Sequence, residues 1–178
     1  MTEPFQWGLA SLRARPARYA GVAVVIFVRL FMALFHLGAG FNKLRNGWAW
    51  TDYLEGVFND RLAELMATGA QTYGPFYLDY IAIPYLKFFA IPLYWPVAVV
   101  VTAFELAAGI GFLLGFATRW AGAMALFLMI NFAIGGYYDA SLIPLALMVV
   151  LIMITPSGHW WGLDRRMAAR YPTAIWFK

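Results

Sequence analysis

Four long apolar stretches dominate this sequence and limit what it can fold into. They cover residues 20–40, 97–116, 120–136 and 138–154. A helix needs about 20 apolar residues to cross a lipid bilayer, and fewer where its ends are aromatic or the bilayer is thin. We therefore predict four membrane-spanning helices. The last one contains Pro144, which a helix tolerates in its first turn because the missing N–H would have no partner there.

The composition supports a membrane protein. Charged residues make up 12% of the 178 residues and hydrophobic residues 63%, whereas a soluble domain carries about 25% charged residues. The net charge of +4 does not indicate polyanion binding, because the basic residues lie beside the apolar stretches. We predict an all-α fold: one domain, 1–178, built as an integral membrane four-helix bundle in the lipid bilayer.

The absence of cysteine narrows the chemistry. The chain contains no cysteine and two histidines, His36 and His159. Without thiols it can form no disulfide, thiolate nucleophile or iron–sulfur cluster of its own. Two histidines also argue against a self-contained bis-histidine haem. We expect no metal, haem or iron–sulfur cluster from this chain.

The segment 41–96, between the first and second stretches, is long and contains an amphipathic pattern. Thr51 or Asp52 can begin a helix there and Gly69 can end it. The apolar residues that recur at helical spacing are Leu54, Val57, Phe58, Leu62, Leu65 and Met66. We predict a helix of roughly 17 residues by this periodicity, resting on the membrane or on the mouth of the bundle. The alternative is that its surface docks a partner.

Residues 76–95 are rich in aromatic side chains but interrupted by polar residues and prolines. They include Asp79, Pro84, Lys87 and Pro92, which would leave backbone groups unpaired in hydrocarbon. Aromatic residues suit the headgroup level of a bilayer. We predict an interfacial or re-entrant segment; the alternatives are a fifth span and an extension at the start of the second spanning helix.

The distribution of basic residues predicts the orientation. One side of the predicted bundle carries eight basic residues and two acids, while the other carries four basic residues and six acids. The positive-inside rule then places both termini in the cytoplasm, the loop 41–96 outside and the tail 155–178 inside. The tail itself is a basic, tryptophan-containing segment expected on the inner leaflet.

Three polar residues lie at one depth inside the predicted spans. Counted from the cytoplasmic ends at 1.5 Å per residue, Arg29 lies about 14 Å deep and Glu105 and Asn131 about 16 Å. A buried charge costs roughly 2.5–3.5 kcal/mol at a helix centre, so neither Arg29 nor Glu105 is expected to face lipid. We predict an Arg29–Glu105 ion pair with Asn131 nearby. It either fixes helix register or holds a polar head group or relays protons.

A basic stripe follows one face of the first spanning helix. Arg29, His36 and Lys43 are seven residues apart, and helical periodicity places them nearly in line. Gly40 on the same stripe would let another backbone come close. A positive stripe that leads outward suits an anionic head group or an anionic substrate, although a lone histidine on a helix is more often structural.

Three groups of residues resemble the DoxX family of small four-helix membrane proteins, in particular its DoxD-like branch. The first is Arg29-Leu30 with Gly40, Lys43 and Leu44; the second is Glu105-Leu106 with Gly109, Gly115 and Thr118-Arg119; the third is Pro156-Ser157-Gly158 with Gly162-Leu163-Asp164-Arg165. The resemblance covers about Val28 to Arg166. The long outer loop is also similar to that of the DoxD branch.

The resemblance implies a quinone-linked oxidoreductase subunit in a prokaryotic inner membrane. DoxD pairs with a small DoxA subunit; together they oxidise thiosulfate and pass its electrons to a membrane quinone. If the chain is such a subunit, we expect Glu105 and Arg29 to be catalytic and Arg29, His36, Lys43 and Asn131 to bind the quinone or an anion. A DoxA-like partner would be supplied by another chain. The alternative is a non-catalytic accessory or assembly subunit of a larger respiratory or photosynthetic membrane complex.

Overall fold

The computed structural model of the chain describes residues 7–68 and 79–177, and within them every regular element is helical, as predicted. A single π-helical turn, Leu86–Ala90, follows the fourth helix, and a 3-10 turn, Ile175–Phe177, lies near the end of the chain. The α-helices are α1 Leu9–Ala14, α2 Pro16–Arg45, α3 Tyr53–Thr68, α4 Asp79–Tyr85, α5 Tyr94–Leu114, α6 Thr118–Ile134, α7 Leu142–Ile154, α8 Ser157–Trp160 and α9 Asp164–Arg170.

Two of these helices, α2 and α5, are long and apolar enough to cross a membrane. They have 30 and 21 residues, and the best 18-residue window in each has a mean hydropathy of 2.2. They coincide with the predicted stretches 20–40 and 97–116, but α2 extends four residues before its stretch and five beyond it. Helices α6 and α7, at 17 and 13 residues, are shorter.

Helices α2, α5, α6 and α7 pack in a closed ring, each against the next and α7 against α2. Glycines let α2 and α5 approach closely. A Cβ on Gly109 would lie 2.9 Å from the backbone nitrogen of Leu37, and one on Gly40 would lie 2.8 Å from Leu106 Cδ2. The close approach predicted at Gly40 is therefore confirmed. These contacts also show that the two helices run antiparallel.

One end of the ring, called here the loop-side end, is covered by the segment between α2 and α5. Helix α3 has 16 residues and buries Leu54, Phe58 and Leu65, which confirms the amphipathic helix, although Met66 from the predicted apolar face is exposed. It packs on α4, on the π turn and on α5. The predicted end of this helix at Gly69 lies outside the described residues.

The predicted aromatic segment 76–95 is helical over most of its described part. Ala82, Leu86 and Ala90 are fully buried at four-residue spacing, while Tyr80 and Phe88 are exposed. A turn at 91–93 separates this segment from α5. The segment is thus not a continuous extension of α5, because this turn interrupts the helical backbone between them. Its residues 76–78 lie outside the described part of the chain.

The opposite end of the ring, called here the tail-side end, is covered by residues 155–177. Helix α8 packs on α2, α9 packs on α8, and the 3-10 turn packs on α6 and α9. The backbone N–H groups of Leu163 and Asp164 donate to the carbonyls of Leu114 and Gly115, at 3.1 and 2.9 Å. The tail is therefore fastened to the ring by backbone bonds as well as by side chains.

Candidate functional site

The predicted Arg29–Glu105 ion pair is wrong. Arg29 donates from Nη1 to the Ser157 carbonyl at 2.6 Å and from Nη2 to the Trp161 carbonyl at 2.5 Å. Glu105 instead accepts from Lys43, with 2.7 Å between Oε1 and Nζ. The two predicted partners lie at different ends of the ring.

The error comes from measuring depth from the ends of the apolar stretches. Helix α2 begins at Pro16 and extends past the level at which α5 ends, so the ends of the two apolar stretches do not lie at the same depth. Arg29 faces Gly115, where an added Cβ would lie 2.9 Å from Nη1. Glu105 is ten residues away from Gly115 along α5, a separation of about 15 Å at 1.5 Å per residue.

At the tail-side end, Arg29 is buried with Ser157 and Asp164, and the backbone carbonyl of the exposed residue Trp161 completes this group, named here the Arg29 cluster. Asp164 accepts from the backbone N–H groups of Ala117 at 2.5 Å and Thr118 at 3.2 Å. It also accepts from the Thr118 hydroxyl at 2.8 Å, so it caps the start of α6. Both charged side chains are thus bonded mainly to backbone groups, an arrangement that fastens the tail to α2 and α6.

At the loop-side end, the Lys43–Glu105 pair is buried between α2 and α5. The Lys43 ammonium lies 4.8 Å from the centre of the Trp48 ring and 5.4 Å from that of Phe132. An ammonium over aromatic faces gains cation–π attraction in addition to its ion pair. The charge of Lys43 is therefore held by one carboxylate and two rings.

Several polar atoms near this pair have no hydrogen-bond partner among the described residues. They are both ring nitrogens of His36, the Thr102 hydroxyl and Oε2 of Glu105. His36 is buried with its ring against Phe35 and Phe112. Arg29, His36 and Lys43 all lie on the buried side of α2, as the predicted stripe requires, but the structure divides them between the two ends of the ring.

A cavity of about 320 Å³ opens beside the Lys43–Glu105 pair at the loop-side end. Its polar side chains include Tyr85 and Asn131, joined by a hydrogen bond of 3.0 Å from the phenol to Oδ1, and Tyr137, which donates to the Val57 carbonyl at 3.2 Å. The described walls are Trp48, Leu54, Val57, Phe58, Tyr85, Val97, Val101, Leu128, Asn131, Phe132, Gly135 and Tyr137.

Aromatic rings separate the ion pair from the cavity. Trp48 and Phe132, the two rings that flank the Lys43 ammonium, are themselves walls of the cavity. Asn131 was predicted beside Arg29 and Glu105, but its side chain bonds to Tyr85 and, through Nδ2, to the Phe127 carbonyl at 2.8 Å. Among the described residues that line the cavity, Asn131 is the only one that was predicted as a site residue.

The two phenols of the cavity remain protonated at neutral pH. Burial raises the pKa of Tyr137 to about 12 and also raises the pKa of Tyr85 above its usual value. A protonated phenol is a hydrogen-bond donor as well as an acceptor. The cavity is thus an apolar space with a small number of neutral donors, the chemistry typical of a pocket for a small organic molecule.

The described residues contain no group of three or more histidine, aspartate or glutamate side chains that could hold a metal ion. The described groups that line the loop-side cavity offer hydrogen bonds and apolar contact. Within the described range, the donors that face the cavity are neutral.

Three residues important to the cavity and the tail were given no role from the sequence, although Asp164 was among the residues of the family resemblance. Tyr85 and Trp48 are two of many aromatic residues in the loop 41–96, and no spacing distinguishes them from their neighbours. Asp164 had a usable signal, since an acid among the basic residues of the tail and beside Gly162 suggests a capping role. The contacts of all three depend on residues distant in the sequence.

Comparison of the chain with models of known families, with characterised proteins and with solved structures finds no match.

Proposed function

We propose that this chain is a four-span membrane subunit that binds the ring of a lipid-soluble quinone at its loop-side end and serves a quinone-linked oxidoreductase. The observation that carries the proposal is the cavity of about 320 Å³, whose walls are apolar except for a few neutral hydrogen-bonding groups. A quinone ring is planar and apolar with two carbonyl acceptors, which is the complement of such walls. The expected DoxX-type, DoxD-like membership agrees with this role.

The membrane part of the proposal is supported by the outer surface of the ring. Helices α6 and α7 pack with α2 and α5, and all four expose large apolar side chains away from the core, among them Phe27, Ile110, Ile130 and Leu147. Such a surface suits lipid rather than water. With four spans, both termini lie on one side, and the basic residues favour the cytoplasm for that side.

The Tyr85 hydroxyl and the Asn131 amide are the groups proposed to hold the quinone. A hydroxyl hydrogen can rotate, so the phenol can turn from Asn131 Oδ1 to a carbonyl oxygen of the ring. Hydrogen bonds to that oxygen strengthen as reduction places negative charge on it. The Lys43–Glu105 pair behind Trp48 and Phe132 adds fixed charge close to the site. In this proposal Glu105 and Lys43 do not contact the quinone and influence it through their charges alone.

The electron donor is proposed to bind on a partner chain. Two thiosulfate ions give two electrons and form tetrathionate, and the quinone takes up two electrons and two protons to form the quinol. The two buried cations that were predicted to bind an anion already have partners within the chain: Arg29 bonds to two carbonyls and Lys43 bonds to Glu105. A DoxA-like subunit, or another membrane-complex subunit, would therefore bind the anion.

The same internal pairing favours the second candidate function, an accessory or assembly subunit of a larger membrane complex. If both buried charges serve only to fix the fold, the chain needs no substrate. This candidate predicts no quinone binding at the cavity, and it predicts that partner chains remain attached during purification whatever residue occupies position 131.

The test is quinone binding by the full chain in lipid nanodiscs. A short-tailed ubiquinone analogue is titrated while tryptophan fluorescence is recorded, since Trp48 is a wall of the cavity. We expect Asn131→Leu, which keeps the side-chain size and removes the amide, to weaken binding about tenfold, equivalent to about 1.4 kcal/mol.

The matched control is Asn59→Leu. Asn59 is exposed on α3 and, like Asn131, donates from Nδ2 to the carbonyl four residues earlier, at 2.9 Å. Asn59 is not among the described residues that line the cavity. Equal effects of the two substitutions, or no binding by the unaltered protein, would overturn the proposal and favour the accessory role.

A further inference from the structure

A second cavity, named here the side groove, adjoins the first. Its volume is about 210 Å³, and it shares Tyr85, Val97, Val101 and Asn131 with the larger cavity. The hydrogen bond from Tyr85 to Asn131, 3.0 Å long, lies among these shared residues. The two spaces therefore share a wall that contains the donors that we propose hold a quinone ring.

The side groove opens on the outer surface of α5 and α6. Its remaining walls include Phe89, Leu93, Val100 and Phe127, all of them apolar and substantially exposed. In the proposed membrane arrangement this surface faces the hydrocarbon of the bilayer. The groove thus lies between the ring cavity and lipid.

We infer that the side groove binds the hydrocarbon tail of the same ligand, so that the ligand is a prenyl-tailed quinone entering from the bilayer. This inference rests on the proposed function. It follows from the four wall residues that the two adjoining spaces share, from the apolar walls of the groove and from its exposed position. A ring without a tail would use the cavity alone and gain nothing from the groove.

The experiment compares two probes in nanodiscs that contain the full chain. One is a ring-only benzoquinone without a tail, and the other is the same ring with a decyl tail. Val100→Trp fills the groove; Val99→Trp is the matched control, because Val99 is the adjacent residue, is 37% exposed against 41% for Val100, and does not line the groove as described.

We expect Val100→Trp to weaken binding of the tailed probe about tenfold, while binding of the ring-only probe stays within twofold of the unaltered protein. Val99→Trp should change neither. Leu93→Trp, on another wall of the groove, is expected to repeat the effect of Val100→Trp and replaces it if that variant does not fold.

The outcomes separate the two proposals. If both probes bind and the groove variants weaken them equally, or weaken neither, the tail inference is overturned and the ring-binding proposal stands. If neither probe binds the unaltered protein while a known quinone-binding protein in the same assay does bind them, the proposed function is overturned, and the tail inference falls with it.

Discussion

The two ends of the helical ring bury charges in different ways. In the Arg29 cluster, Arg29 and Asp164 bond mostly to backbone groups, which cannot move without moving a helix or the tail. At the loop-side end, Lys43 and Glu105 bond to each other, and a cavity lies behind the adjoining rings. A charge fixed to the backbone fastens chain segments together. A pair of side chains beside open space can respond to a ligand.

Glycine positions show the same contrast. Gly115 at the tail-side end has φ of +59°, and a Cβ there would lie 2.8 Å from the backbone Cα of Gly162. Gly136 at the loop-side end has φ of +80°, but the nearest atoms to an added Cβ are side-chain carbons of Leu65 and Ala82, at 3.0 and 3.2 Å. Side chains yield more readily than backbone, so the loop-side end is the more adaptable of the two.

The largest expected effect is that of Arg29→Met. This change keeps an unbranched apolar stem but removes two charge-assisted hydrogen bonds, worth roughly 1.5–3 kcal/mol each. The free energy of unfolding should fall by roughly 3–6 kcal/mol on that basis, measured by denaturant unfolding in detergent. Arg165→Met, at an exposed tail position, is the control. Equal stability of the two variants would refute a fastening role for Arg29.

The Lys43–Glu105 pair should behave differently in a double-mutant cycle. Lys43→Met or Glu105→Leu alone leaves one buried charge without its partner and should cost roughly 3–5 kcal/mol. The double variant should recover most of that loss, since an apolar pair often replaces a buried ion pair at little cost. Unfolding free energies of the four proteins give the coupling directly. A double variant as unstable as the sum of the singles would show that the two side chains act independently.

Alanine at the two left-handed glycines sharpens the contrast between the ends. A left-handed conformation costs a residue with a Cβ roughly 1–2 kcal/mol, and this applies to both Gly115→Ala and Gly136→Ala. Overpacking against backbone adds about 1–3 kcal/mol at Gly115. We therefore expect Gly115→Ala to lower the thermal unfolding temperature more than Gly136→Ala does. Gly21→Ala, where no heavy atom lies within 4 Å of the added Cβ, is the control, and the reverse order would contradict the comparison.

The smallest effect concerns pH and Tyr137. Burial raises the pKa of Tyr137 to about 12 in the folded protein, above the usual value of about 10. The folded state then binds this proton more tightly than the unfolded state, so stability is lost as pH rises from about 10 to about 12. Tyr137→Phe should flatten this part of the stability curve. Unfolding temperatures from pH 8 to 12 test it, and parallel curves for the two proteins would exclude a buried, protonated Tyr137.

Much of the fold could be predicted from the sequence because helical periodicity and hydropathy are local. The apolar stretches gave helices at the expected places, and Leu54, Phe58 and Leu65 identified the buried face of α3. The helix ends were less accurate: α2 begins with Pro16, a favoured first helical residue, and ends at Arg45, so it includes charged residues that hydropathy alone assigns to loops.

The candidate site was harder to predict because its contacts join residues far apart in the sequence. The pairing of Glu105 depended on the register of α2 against α5, and Lys43 lies 14 residues beyond Arg29 on the same face of α2, so only that register decides which of the two contacts Glu105. Gly40 and Gly109 carried the missing information, since both need a close neighbour on the other helix. The meeting of Tyr85 with Asn131 depends on how α4 folds back on α6, and nothing in the local sequence specifies that.

The most direct test of the central claim is to locate a bound quinone. A photoreactive quinone carrying an azide on its ring is bound to the full chain in nanodiscs, cross-linked by light and located by mass spectrometry of the digested protein. The account predicts labels at the loop-side end, on α4 near Tyr85 and on α6 near Asn131, that excess unlabelled quinone suppresses. Suppressible labels confined to the Arg29 cluster, near Trp161 at the tail-side end, would contradict it.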